Sequence, residues 1–177
     1  MKVAKRGISP NTLGTETHAS PANKGGVMLS ARLVQLIEGH SEEISSRLLH
    51  AIRSHPDMRN LAARPEGEIR EWCREILNNL GFLLSVRKDE SVERRFQVLG
   101  RDRFHENIPL HEAVLRLHLL KEKIIGFVQE QGFAMSAVQL YAEEELDHRV
   151  GRFFDACVYN VVRGYEDAES LHRRLAS

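Results

Sequence analysis

The sequence predicts an all-α fold, a bundle of about five helices closed by a long C-terminal one. Three observations predict it. From Met28 onward, apolar residues recur at three-, four- and seven-residue steps, the period of one helical face. No segment alternates apolar and polar residues between hairpin turns, so no sheet is predicted. Proline and glycine fall where the periodic segments begin and end, as helix start and stop signals do.

The first helix is predicted over 29–54, with Leu33, Ile37, Ile44, Leu48 and Ile52 on one stripe and Gly39 as a point where it kinks or splits. His55-Pro56 ends it, because the residue before proline is pushed out of the α region. A second helix opens at Pro65, with Glu66 and Glu68 facing the positive end of the dipole. Its buried stripe is Ile69, Trp72, Cys73, Ile76, Leu77, Leu80 and Leu84. A third, over 90–104, takes Asp89 as N-cap and turns Val92, Phe96 and Leu99 inward, with Gly100 and Arg101-Asp102-Arg103 loosening its end. Pro109 starts the fourth, 109–130, and Gln131-Gly132 stops it. The last, over 134–172, would reach roughly 50–60 Å. A helix of that length is expected to project, to bend near Gly151 or Gly164, or to pack on a second chain. Residues 1–27 carry Pro10, Pro21 and four glycines with no apolar period, which predicts a flexible, mildly basic tail before a helical domain at 28–177.

Composition narrows the function classes. Lys+Arg and Asp+Glu both total 25, so no bulk field draws the 177-residue chain to nucleic acid or an anionic membrane. The stretch Arg94-Arg95, Arg101 and Arg103 is offset by Asp89, Glu90, Glu93 and Asp102 and lacks interleaved aromatics. A solvated face is predicted there; contact with nucleic acid through it or through the tail is the lesser reading. Cys73 and Cys157 sit in no CxxC or CxxH pattern and fall on apolar faces, which predicts small buried hydrophobes in a reducing cytosol. No apolar run is long enough to span a bilayer and no signal-like segment opens the chain, so a cytoplasmic location is expected.

Few side chains are placed for bond-making. Serines stand outside any GxSxG, no glycine-rich loop follows a strand, and neither cysteine has a base beside it. No enzyme and no metal site are expected. Glu145-Leu-Asp-His148 is an ExxH element, but di-iron bundles need it twice with further carboxylates, and it has no second copy. His111 and His118, seven apart on the fourth helix, border its apolar arc of Leu110, Ala113, Val114, Leu117, Leu120, Ile124, Phe127 and Val128. Either histidine on a pocket could ligate haem iron; surface hydrogen bonding is the plainer reading. Lys121 falls within the same arc, either snorkelling to its edge or meeting an anion in a cleft. Leu115 and Leu119 point toward the polar face and hint at a second contact. On the last helix, Phe153 lies on a seam widened by Phe154, Val158 and Val162 toward half the circumference, which predicts homodimerisation through it.

Leu99-Gly100-Arg101-Asp102-Arg103, followed by Asn107-Ile108-Pro109-Leu110-His111-Glu112-Ala113-Val114-Leu115-Arg116-Leu117, resembles the N-terminal domain of RsbRD-type proteins. There a Gly-x-x-Arg turn leads into an Ile/Phe-Pro-Leu-x-Glu helix start. The order of elements agrees over about 30–172, the residues themselves over roughly twenty positions. The resemblance implies a globin-like, all-helical sensory module without haem, dimeric, which in stressosome-type regulators precedes a STAS output domain. Because Ser177 ends the sequence, the expectation is a stand-alone relative or a module that works through a separate output protein. The resemblance carries over no catalytic residue; Arg103, Pro109, Leu110 and Glu112 match as helix-start and packing positions. The functional expectation is a signal-sensing or adaptor module acting through helix packing and protein contacts, the alternative a haem-binding sensor using His111 or His118.

Overall fold

The computed structural model describes residues 31–85, 90–131 and 136–176, and every regular element among them is helical. The helices are α1 (residues 31–39), α2 (Ser41–Ser54), α3 (Arg59–Ala62), α4 (Glu66–Leu77), α5 (Leu80–Ser85), α6 (Glu90–His105), α7 (Leu110–Glu130) and α8 (Ala137–Leu175). The expected tail, the Asp89 cap and the Gly132 stop lie outside the described residues.

The first predicted helix divides where Gly39 suggested. The chain turns at His40, whose N–H bonds back to Leu36 and Ile37, and α2 restarts at Ser41. The stripe still faces inward on both pieces: Leu33, Ile37, Ile44, Leu48 and Ile52 are all buried. His55 leaves the helical region with ψ 126°, as the following proline requires. The second predicted helix also divides. At Asn78-Asn79 the side chain of Asn79 donates to the Glu75 carbonyl, a local bond of the kind that competes with helix continuation, and α5 resumes at Leu80.

The junction of α6 and α7 is closed by sequence chemistry. Asn107 adopts φ 55°, a left-handed conformation Asn tolerates better than most residues. The Asn107 N–H then bonds the Phe104 carbonyl and the Ile108 N–H the Arg103 carbonyl, a Schellman stop, with Ile108 buried beneath it. Pro109 stands just before α7 as its N-cap, at φ −58° and an extended ψ of 142°.

Two elements depart from expectation. Gly100 does not loosen α6, which continues to His105. It lies instead where α6 crosses α8, against the Val161 carbonyl, while Gly164 of α8 faces the Gln97 carbonyl of α6. Neither position has room for a Cβ, so the two backbones touch directly. This pair of helices makes the most extensive contact in the fold. α8 runs through both Gly151 and Gly164 as one element of 39 residues, about 58 Å long. Its last residues, 171–175, are all exposed.

The core gathers α1, α2, α4, α6, α7 and α8 around Phe127, Phe154, Leu117, Leu120 and Val150. Both cysteines belong to it. Burial pushes their thiols up, Cys73 to about 11, which keeps them protonated and unreactive.

Candidate functional site

α7 is where polar chemistry enters the interior. Its buried arc is turned by roughly half a turn-step from the one predicted, so Glu112, Arg116 and Leu119 are inside while Leu110 and Val114 are only half-buried. Leu119, expected on the polar face, is core: 9% exposed, because α7 is flanked by α2, α6 and α8 and a single outward stripe remains. Leu115 is half-buried against the same core.

Glu112 reaches across to the start of α3. Its Oε1 accepts from the Asn60 N–H at 3.1 Å and from Asn60 Nδ2 at 2.7 Å, and its Oε2 accepts from the Leu61 N–H at 2.7 Å. A carboxylate from a distant helix thus caps one that has no side-chain cap of its own. Burial works against the charge, but these three donors outweigh it and hold the carboxyl below its ordinary range. With a folded pKa below the unfolded one, Glu112 adds stability above the ordinary carboxylate range, lost as pH falls through the folded value. Glu112→Gln is expected to cost about 1–3 kcal/mol near neutral pH. Urea melts should show this gap to wild type closing as pH falls below the ordinary carboxylate range.

One turn on, Arg116 is wholly enclosed. Its guanidinium lies 3.7 Å from the centre of the Trp72 ring on α4, a cation–π stack. Around it stand Arg64, Glu68, Arg103 and Glu106. Arg64 bridges Glu68 and Glu106, both at 3.1 Å, and Arg103 pairs with Glu106 at 2.6 Å and faces Glu68 at 3.6 Å. Among the described residues Arg116 makes no ion pair, and its Nε and Nη2 are buried without a partner; so is Arg103 Nε. Desolvation, aided by the Arg103 charge, lowers the Arg116 guanidinium to about 9. The cluster therefore sets three guanidinium groups against two carboxylates.

The remaining predicted positions fall as follows. Arg103, placed on a solvated face by the sequence, is buried by its carboxylate partners, and Arg95 pairs with Glu75 at 2.7 Å. His111 and His118 are exposed on α7; His118 and half-buried Lys121 border an open groove shared with His50 and Glu130 of α2 and α7. On α8, Phe154 is 1% exposed within its own chain, which removes it from any surface, and Phe153 is half-buried edge-to-face with Phe96 at 6.0 Å. Val158 and Val162 keep partial exposure. Among the described residues, no group of three His, Cys, Asp or Glu side chains converges on a metal-sized point, and no helix is long and apolar enough to cross a membrane.

The helical arrangement recurs in a solved structure, the ferric form of the globin domain of E. coli DosC. It superposes with TM-score 0.61 over 80% of this chain and 97% of that one, at 13% identity. The fold is globin-like, an all-helical domain. Residues 42–176 match the N-terminal domain of the RsbT co-antagonist protein rsbRD, and the chain belongs to that stressosome-related family. A comparison with curated proteins finds no match.

Proposed function

We propose that this chain is a non-enzymatic signal-sensing or adaptor module, working by helix packing and protein contact in bacterial stress or regulatory signalling, and that it does so as a homodimer. Membership of the rsbRD N-terminal family over 42–176 carries the signalling part of this reading. The dimer rests on the outward face of α8. Leu140 and Val158 are 18 residues apart, as are Tyr141 and Tyr159, so each pair shares one bearing on a helix of 3.6 residues per turn. Val162 and Gly151 lie on the same stripe. Leu140, Tyr141 and Tyr159 are about 60% exposed, and nothing stands within contact of a Cβ at Gly151. The stripe adjoins a groove of ≈ 310 Å³ between α7 and α8, lined by aliphatic residues such as Ile125, Val128 and Leu140 and rimmed by Glu143, Glu144 and Asp147. Exposed aromatics beside a partly apolar groove and a bare glycine suit a second helix surface.

A second, separate feature lies on the inward bearing of α8. Val161, Gly164 and Ala168 are buried, and the same three-then-four spacing continues to Leu171 and Leu175, which are 55% and 80% exposed. A heptad seam thus runs off the domain and remains open for a partner helix. The double variant Tyr141→Glu, Tyr159→Glu is expected to sediment as a monomer while melting within a few degrees of wild type, since exposed changes cost little in stability. A monomeric wild type would overturn the dimer, and a variant that stays dimeric would overturn the assignment of its interface to this face of α8.

A further inference from the structure

We infer that Arg116, with Arg103 beside it, is an internal binding site for a small oxyanion, a carboxylate or a phosphate group. The two unpartnered nitrogens of Arg116 are Nε and Nη2, the side of the guanidinium that presents two parallel N–H donors. That edge matches the two oxygens of a carboxylate or phosphate in a bidentate fork. Arg103 Nε on α6, whose charge acts on Arg116, is also buried and unpartnered. The carboxylates that could have filled the fork are engaged elsewhere. Glu68 and Glu106 hold Arg64 and Arg103, and Glu112 is turned to the α3 amides although it sits one helical turn from Arg116.

Buried charge without a counter-charge is strongly unfavourable. Here the surplus is one positive charge, the guanidinium that stacks on Trp72 rather than pairing. A singly charged anion on the Nε/Nη2 edge would balance the cluster and satisfy the donors together. It would also join α4, α6 and α7 at one point, so occupancy would alter how those helices pack. The inference deepens the sensor reading and rests on it for the purpose of binding, whereas binding itself stands on the cluster alone.

Trp72 is the chain's only tryptophan, so its emission reports on the site. Full-length protein is titrated with sodium acetate and, separately, with inorganic phosphate, sodium chloride holding ionic strength constant. A saturable change in Trp72 emission with a rise in melting temperature is expected; response to acetate assigns a carboxylate, response to phosphate a phosphate. Arg116→Met should lose at least tenfold in affinity, and it should fold at least as well as wild type in anion-free buffer because it removes the unpaired charge. Arg103→Gln, which leaves the Trp72 stack in place, should weaken binding and serves if Arg116→Met does not fold. Emission indifferent to both anions, or equal titrations in wild type and Arg116→Met, would overturn the site. Sedimentation of the same samples reports the dimer separately, so failure of one inference is distinguishable from failure of the other.

Discussion

Gly164→Leu is expected to remove about 3 kcal/mol or more of stability, at or above the upper range for overpacking. The obstacle is backbone, not side chain: any Cβ at Gly164 meets the carbonyl and Cα of Gln97, and no rotamer can relieve that. Gly100 faces Val161 and Tyr165 from the other side, so the crossing cannot slide to make room. Ring contacts on either side hold the same approach: Phe104 against Tyr165 at 5.3 Å and Phe96 against Phe153 at 6.0 Å. Because domains of this size are stable by about 5–15 kcal/mol, the variant should melt far below wild type or lose its cooperative transition by circular dichroism. Gly126→Ala is the control. Nothing surrounds a Cβ at Gly126, so alanine should instead add about 0.5–1 kcal/mol by restricting the unfolded chain.

Phe154→Ala is expected to cost about 3–5 kcal/mol, the range for emptying a buried aromatic site. The ring is enclosed by its own chain and packs edge-to-face on Phe153 at 5.2 Å. The loss should appear in urea melts and be independent of protein concentration. A concentration-dependent loss would place Phe154 at a chain–chain contact, as its position on the apolar seam first suggested.

The helices were legible because burial follows a period that side-chain type reveals. Ile37, Ile44, Leu48 and Ile52 all lie at 0% exposure, where the stripe put them. The site was less so, for a physical reason. A wheel treats every charge as outward, yet Glu112 and Arg116 are inward because their partners come from other helices: Asn60 and Leu61 on α3, Trp72 on α4. Such partners are set by tertiary packing and leave no local mark. One signal was available: Glu112, Arg116 and Leu119 share a face, and an aliphatic residue among charges hints that the charges are enclosed too. Gly100 and Gly164 show the same limit. A glycine in a helix reads as a weak point, and only the neighbouring backbone reveals a close crossing. The sequence places Leu119 and Phe154 at contacts outside the chain because the number of helices flanking α7 and α8 is a property of the fold.

The outer face of α8 as the meeting surface is the claim most directly open to measurement, by amide hydrogen exchange of the wild-type protein at high and low concentration. Added protection on concentrating the sample is expected in the segment spanning residues 138–162, with none in α3 or α4. Equal exchange at both concentrations, or protection gained only on α2 to α4, would contradict it.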